Sequence, residues 1–167
     1  MAPAILLINT NVARPPVSPV GLEYLSETLV EAGVPVRVLD LPFETDWKAS
    51  LTRALKRDEP LAVGLTVRNT DDCSFASRKS FLPWIREVVA ELRKFTKVPV
   101  FLGGVGFSTM PEGVLRATGA DGGIEGDGEE AMLALARCLI KGEDFAHLPN
   151  LVYWHNEDVV RNPRATI

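Results

Sequence analysis

The stretch best suited to contact a ligand is the glycine run Gly103-Gly104-Val105-Gly106. It follows a short apolar segment, residues 98–102, that is typical of a buried strand. Glycines at the carboxyl end of a strand let the backbone approach a ligand that side chains would keep away, and open parallel sheets bind ligands at that edge. The same glycines also suit a simple reversal of the chain, so the motif alone leaves both interpretations open.

Side chains able to act as acids, bases or nucleophiles are present but are not grouped in a catalytic pattern. Adjacent carboxylates on a helix point apart and serve more often as N-terminal caps. Ser108 lacks a nucleophile-elbow motif and an evident histidine partner, and Cys73 is interpreted as an incidental thiol. The sequence therefore favours ligand binding over catalysis by its own side chains. The side chains considered are Asp71, Asp72, Glu129, Glu130, Ser108, Cys73, His147 and His155.

The composition is that of a single soluble domain of 167 residues. A net charge of −4 gives no electrostatic attraction to nucleic acid or to an anionic membrane. No apolar run approaches the roughly 20 residues of a membrane span, and no signal peptide is evident. The two cysteines, Cys73 and Cys138, form neither a metal-binding pair nor a disulfide framework. These features predict a cytoplasmic protein.

Strand-like and helix-like apolar patterns alternate five times along the chain. Continuous apolar runs indicate strands buried on both faces, and apolar residues three or four apart indicate amphipathic helices. The alternation predicts an α/β fold with a doubly wound, flavodoxin-like or Rossmann-like sheet of five parallel strands in the order 2-1-3-4-5. Strands are predicted at residues 4–8, 36–39, 61–65, 98–102 and 122–125, and helices at 21–32, 46–57, 81–95, 110–118 and 128–140.

The C-terminal segment departs from this alternation. Residues 151–154 and 159–161 flank a polar turn, which predicts a β-hairpin. The sequence is accordingly divided into a ligand-binding domain, residues 1–145, and a hairpin and linker, residues 146–167. Because the chain stops shortly after the hairpin, we interpret it as a piece of a longer protein.

Four loops are expected to converge at one edge of the sheet, after strands one, three, four and five. Each is glycine-rich, polar or unusually long, and their convergence favours a ligand site. Lysine and arginine are sparse in them and the lysine-containing phosphate loop is absent, which predicts a large and mostly uncharged ligand. The loops comprise residues 9–21, 66–73, 103–108 and 126–130.

Four stretches of the chain form a pattern by their order and spacing: residues 15–25, 63–71, 102–112 and 119–131. Together they resemble the cobalamin-binding domain of B12-dependent radical S-adenosylmethionine proteins, and the hairpin resembles the element that leads into the radical domain. The resemblance implies a corrinoid across the carboxyl edge of the sheet, with its nucleotide tail threaded into the domain beside Gly103 and Gly104. The implied cofactor-binding residues are Asn11, Pro19, Val20, Gly21, Thr66, Arg68, Asn69, Thr70, Gly103, Gly104, Gly106, Phe107, Ser108, Gly126, Gly128 and Glu129.

Two departures from related patterns sharpen the expectation. The Asp-x-His-x-x-Gly motif of methionine-synthase-like domains is missing and no histidine precedes His147, which predicts base-off cobalamin without a histidine lower ligand. Water, an apolar side chain or a polar loop residue would meet the lower face, and Arg68 is one candidate. No three-cysteine cluster motif is present, so S-adenosylmethionine and a 4Fe-4S cluster are expected in a radical domain beyond residue 167.

The sequence therefore predicts the corrinoid-holding domain of a radical S-adenosylmethionine enzyme, a methyltransferase, whose isolated domain turns nothing over. Two alternatives stay open. One is a flavodoxin-like domain for a flavin or another nucleotide, for which the loops offer chiefly Phe75 and Phe107 as stacking residues. The other is a docking module that binds no cofactor. A bulky residue at Gly104 is expected to abolish corrinoid binding and to leave docking intact.

Overall fold

The computed structural model describes residues 4–12 and 15–165 of the chain. Within these ranges seven strands form a single sheet, and six α-helices pack against it. The strands are β1 (Ile5–Asn9), β2 (Val36–Asp40), β3 (Ala62–Thr66), β4 (Val100–Gly103), β5 (Gly122–Ile124), β6 (Leu151–His155) and β7 (Asp158–Arg161). The helices are α1 (Val20–Glu31), α2 (Trp47–Arg57), α3 (Leu82–Leu92), α4 (Val105–Thr109), α5 (Pro111–Thr118) and α6 (Glu129–Lys141).

The sheet continues beyond the five parallel strands that the sequence predicts. Strands β1 to β5 are parallel and lie in the order 2-1-3-4-5, and β6 and β7 extend the sheet in antiparallel orientation. Val152 pairs with Gly123, so the hairpin belongs to a seven-stranded mixed sheet. The prediction of a five-stranded sheet with an appended hairpin is wrong in this respect. The physical reason is that an unpaired β5 would leave backbone N–H and C=O groups without partners.

Two apolar cores lie on opposite faces of the sheet, because successive strand residues point to opposite faces. In β1, Leu6 and Ile8 belong to the core beneath α2, α3 and α5, whereas Ile5 and Leu7 belong to the core beneath α1 and α6. All four side chains are at most 1% exposed, which explains the unbroken apolar run of this segment. No helix in the described ranges is both long and apolar enough to cross a bilayer.

The glycine run at the end of β4 leads into a short helix, α4, which overlaps residues 103–108, where the sequence predicts a loop. Gly104 has a φ of +96°, a conformation that glycine adopts without strain, and α4 begins at the next residue. The Phe107 side chain of α4 is fully buried, and a Cβ at Gly123 would lie 2.3 Å from its ring. The helix forms here because its one large apolar side chain packs against a glycine of β5.

Candidate ligand site at the carboxyl edge of the sheet

A cavity of about 430 Å³ lies between the sheet and helices α1 and α6. The loops that follow β1, β3, β4 and β5 all contribute to its lining, at the carboxyl edge where the sequence predicts a ligand site. The sequence-predicted residues in the lining are Asn11, Pro19, Val20, Gly21, Thr66, Arg68, Gly103, Gly104, Gly126, Gly128 and Glu129.

Small residues on the sheet face beneath α1 and α6 create this cavity. Gly64 and Gly103 lie on that face, and a Cβ at Gly103 would meet no atom within 4 Å. The adjacent strand residues Leu65 and Leu102 fill the core on the opposite face. The missing side chain at Gly103 leaves open room, whereas a Cβ at Gly64 would lie 2.8 Å from the Leu7 side chain and 3.2 Å from that of Met132. Gly64 therefore lets these two side chains approach the floor of the cavity. Gly64 is not among the predicted residues, although a glycine within a buried strand often marks the close approach of a ligand.

A polar network holds the end of β1 beside the cavity. The Thr66 hydroxyl donates to Oδ1 of Asn9 at 3.2 Å, and the Asn9 side-chain amide donates to Oδ1 of Asp40 at 2.8 Å. The Thr66 hydroxyl oxygen also accepts the backbone N–H of Thr10 at 3.2 Å. Asn9 is 2% exposed and lines the cavity. Its position directly after a buried apolar run is the sequence feature that could have identified it.

Gly104 and Gly106 allow two backbone segments to touch. A Cβ at either position would lie 2.9 Å from the carbonyl oxygen of Val67, and this oxygen accepts the N–H of Gly106 at 2.8 Å. The close approach fixes α4 against the loop that follows β3. Of the two glycines expected to make room for a ligand, Gly103 therefore has the free space. A bulky residue at Gly104 would disturb the fold itself, so it does not separate ligand binding from docking.

The remaining predicted site residues lie outside the cavity lining and hold its loops in place. The Ser108 hydroxyl oxygen accepts the N–H of Gly126 at 2.9 Å and so joins the loops after β4 and β5. The carbonyl oxygen of Thr70 accepts the N–H of Phe81 at 2.9 Å, which closes the base of the loop after β3. Phe107 lies in the core. The predicted residues outside the lining are Asn69, Thr70, Gly106, Phe107 and Ser108.

Arg68 brings a cationic group to the cavity lining. It is exposed, and within residues 4–12 and 15–165 its side chain has no hydrogen bond or ion pair. Asp127 and Glu129 line the cavity at the start of α6, where negative charge interacts favourably with the N-terminal N–H groups of the helix. The Arg68 guanidinium is therefore available to a bound molecule.

The loop after β3 uses its carboxylates to build turns. Asp72 accepts the N–H of Ser74 at 3.1 Å and the hydroxyl of Ser77. The hydrogen bond from Ser77 is the main cause of a pKa of Asp72 below the ordinary value. Hydrogen bonding and charge from Asp71 raise the pKa of the exposed Cys73 thiol, which lowers its thiolate fraction. These hydrogen bonds shape the loop after β3.

Glu125, directly after β5, is a buried carboxylate that the sequence analysis does not identify. Its side chain is fully buried and accepts hydrogen bonds from Arg161 and Arg164, with Nε of Arg164 at 2.7 Å. The hydrogen bond from Arg161 contributes most to a pKa of Glu125 below the ordinary glutamate value, although burial acts in the opposite direction. The folded protein therefore favours ionised Glu125.

We expect acidification to lower the free energy of unfolding of the wild-type protein more than that of a Glu125→Gln variant. Because the pKa of Glu125 is lower in the folded chain than in the unfolded chain, its contribution is complete above the unfolded pKa. The contribution declines below about pH 5 and is lost as the pH falls through the folded pKa. Urea unfolding at a series of pH values from 7 to 3 measures this difference. Parallel pH profiles for the two proteins would contradict the expectation, because all other carboxylates titrate in both.

Comparison with known protein families identifies the class to which this fold and site belong. The sequence matches the B12 binding domain over residues 6–136. The chain is therefore a member of the B12-binding domain family, and the resemblance drawn from its motifs is confirmed.

Particular relatives refine the comparison. The chain is 38% identical over 151 residues to tryptophan 2-C-methyltransferase of Streptomyces laurentii. The matched region covers 89% of this chain and 25% of that enzyme. It superposes with a TM-score of 0.94 and 38% identity on the radical S-adenosylmethionine methyltransferase TsrM from Kitasatospora setae, solved with cobalamin and a 4Fe-4S cluster bound. That match covers 99% of this chain and 30% of TsrM.

A more distant structure shares the fold. The cobalamin-dependent S-adenosylmethionine radical enzyme OxsB, solved with aqua-cobalamin and S-adenosylmethionine bound, superposes with a TM-score of 0.74 at 19% identity. The match covers 99% of this chain and 22% of OxsB. The chain thus spans less than a third of the length of each of these relatives.

Proposed function

We propose that this chain holds cobalamin in the base-off form, with the nucleotide tail in the cavity beneath α1 and α6. The free space above Gly103 is the observation that carries the proposal, because it opens a cavity of about 430 Å³ into an otherwise packed sheet face. A Cβ at Gly21 or Gly128 would also meet no atom within 4 Å. These residues fit a bulky group that inserts between the sheet and the two helices while its larger part stays at the open edge.

We further propose that no histidine ligates the lower face of the cobalt. The described residues that line the cavity include no histidine, and His147 and His155 are both exposed outside it. Arg68, which lines the cavity without an ionic partner among the described residues, is the side chain that we place near this face. An axial ligand tunes the electronic properties of a metal cofactor, so its absence favours alkylation and reduction of the cobalt.

The parent protein is proposed to be a B12-dependent radical S-adenosylmethionine methyltransferase of the cytoplasm. Support comes from two relatives at 38% identity, of which the chain spans 25% and 30%. One is named tryptophan 2-C-methyltransferase, and the other is named a radical S-adenosylmethionine methyltransferase and was solved with cobalamin bound. In this arrangement residues 1–145 hold the corrinoid, and residues 146–167 lead to a radical domain that binds the cluster and S-adenosylmethionine. Bound cobalamin supplies a cobalt able to carry a methyl group, and this chain contributes its binding and orientation.

A flavin or another nucleotide in the same cavity is less well supported. A flavin site is expected to use aromatic residues that stack on the ring, and the sequence offers Phe75 and Phe107 for this role. Phe107 is buried in the core, and Phe75 is 87% exposed on the loop after β3. Phe101 is the one aromatic residue among the described residues of the cavity lining. A docking module without a cofactor would have no need of the cavity.

Absorbance titration of the purified chain with hydroxocobalamin and methylcobalamin tests the proposal. We expect colour to be retained after removal of free ligand, with a base-off methylcobalamin spectrum that is unchanged in a His147→Ala, His155→Ala double variant. Retention of flavin in place of corrinoid would support the first alternative. No retention at high micromolar corrinoid would support the docking module.

Replacement of Arg68 by histidine is expected to change the spectrum of the bound cofactor. An imidazole beside the lower face would be able to ligate the cobalt, and imidazole is a common ligand of transition metals. We expect a shift from the base-off spectrum that reverses on acidification, measured with hydroxocobalamin-loaded protein. Arg78→His is the matched control, since Arg78 lies on the same loop but outside the cavity lining. Identical spectra for both variants would place Arg68 away from the lower face.

A further inference from the structure

Glu125 lies at the junction between the cavity and the C-terminal segment. Its chain neighbours Ile124 and Gly126 both line the cavity. The carboxylate of Glu125 is fully buried and binds Arg161 at the end of β7 and Arg164 beyond it. One residue of the cavity loop is thus held by the last residue of the hairpin and by a residue beyond it. We define residues 161–165 as the exit segment.

Backbone hydrogen bonds attach the exit segment to the same place. Asn150 donates its N–H to the carbonyl oxygen of Pro163 at 3.0 Å and accepts the N–H of Ala165 on its side chain at 2.7 Å. Its side-chain amide donates to the carbonyl oxygen of Glu125 at 3.0 Å, and its carbonyl oxygen accepts the Glu125 N–H at 2.8 Å. Asn150 therefore joins the cavity loop and the exit segment directly.

The burial of Glu125 makes this attachment cooperative. If the exit segment departs, the carboxylate loses both guanidinium partners while it remains enclosed, and an unpaired buried charge is strongly unfavourable. The loop then has to shift to bring Glu125 to water. That shift would strain the hydrogen bond from Gly126 to Ser108, which joins the loops after β4 and β5. The position of the exit segment and the shape of the cavity wall are consequently linked.

We propose that Glu125 is a positioning residue that couples occupancy of the cofactor cavity to docking of the exit segment. This inference rests on the proposed cobalamin binding. Coupling between two sites is reciprocal, so cobalamin stabilises the docked exit segment and the docked segment strengthens cobalamin binding.

Amide hydrogen exchange with and without hydroxocobalamin tests the coupling from one side. In the wild-type chain we expect the cofactor to slow exchange at Asn162 and Ala165, whose N–H groups donate to Leu151 and Asn150. In Glu125→Gln, which keeps the size of the side chain and removes its charge, the cofactor-dependent difference should vanish. Glu125→Asp should restore part of it. If Glu125 had a purely structural role, its replacement would alter amide exchange in the cofactor-free protein. Hydroxocobalamin would then have no effect on exchange at Asn162 and Ala165 even in the wild-type chain.

Cobalamin affinity tests the coupling from the other side. Arg164→Ala, at a half-exposed side chain, is expected to weaken hydroxocobalamin binding by about tenfold, within the usual range of coupling between sites. Arg116→Ala is the matched control, since Arg116 stacks on Trp154 and pairs with Glu112 away from the cavity lining. The inference would be overturned if wild type and Arg164→Ala bound hydroxocobalamin with equal affinity and if the cofactor slowed amide exchange in Glu125→Gln as much as in the wild type. Failure of the wild-type chain to bind would instead overturn the proposed function.

Discussion

Gly103→Leu is expected to weaken corrinoid binding by about two orders of magnitude while leaving the protein as stable as the wild type. A Cβ at this position would meet no atom within 4 Å, and Gly103 lines the cavity, so we expect the leucine side chain to enter the cavity instead of the core. Forcing a ligand against such an obstruction costs about 1–3 kcal/mol, and each 1.4 kcal/mol is tenfold in affinity. We therefore expect hydroxocobalamin affinity to fall by about 100-fold, measured by absorbance titration together with a thermal melt.

Gly113→Leu provides the matched control for this prediction. Gly113 is an exposed residue of α5 outside the cavity lining, and the nearest contact of its Cβ would be at 3.9 Å. It should bind cobalamin as the wild type does. If Gly103→Leu retained the cofactor with unchanged affinity, the nucleotide tail would not pass over Gly103 and its placement in the cavity would be wrong.

Gly104→Ala is expected to have the opposite effect, lowering stability before it affects binding. The new Cβ would lie 2.9 Å from the carbonyl oxygen of Val67, a backbone atom, and the residue would be held at a φ of +96°. With a ψ of 173°, Gly104 lies in a region that is essentially restricted to glycine, where another residue costs about 1–3 kcal/mol, and overpacking adds about 1–3 kcal/mol. For a chain of this size, each 1 kcal/mol lowers the melting temperature by about 2–4 °C. We expect a decrease of about 10 °C by calorimetry.

Gly128→Ala is the control for backbone conformation. Gly128 has a φ of −93° and free space at its Cβ, so alanine is tolerated there and should melt within about 2 °C of the wild type, as neutral surface substitutions do. A Gly104→Ala protein that melted with the wild type would show that the turn relaxes away from Val67. The two neighbouring glycines thus have different roles: Gly103 leaves space for a ligand, whereas Gly104 is required by the fold.

Local patterns predict most of the elements that carry the site. The apolar runs of β1 and β3 are unbroken because both faces of these strands are buried. Asp46 begins α2 as a helix cap, accepting the N–H of Ala49 at 3.0 Å. The convergence of four loops at the carboxyl edge follows from parallel strand order, so the approximate location of the cavity is predictable as well.

The roles of individual glycines are not predictable in the same way. Gly103, Gly104 and Gly106 form one run in the sequence, but only Gly103 has free space on the cavity side, while the other two allow contact with Val67. In the sequence, a glycine that makes room for a ligand looks the same as a glycine that makes room for another backbone segment. The two differ only in which atoms the fold places next to them. Phe107 likewise belongs to the core, because β5 presents Gly123 to its ring.

The sequence by itself determined the α/β alternation, the ligand-binding edge, the family of the domain and the absence of a histidine before His147. These depend on local periodicity, on strand direction and on motif order. Only the tertiary structure decided that the hairpin completes the sheet, that Gly103 opens the cavity, and that Glu125 meets Arg161 and Arg164. The two contacts of Glu125 join residues 36 and 39 positions apart. The energies of such long-range contacts depend on which groups folding brings together rather than on neighbours in the chain.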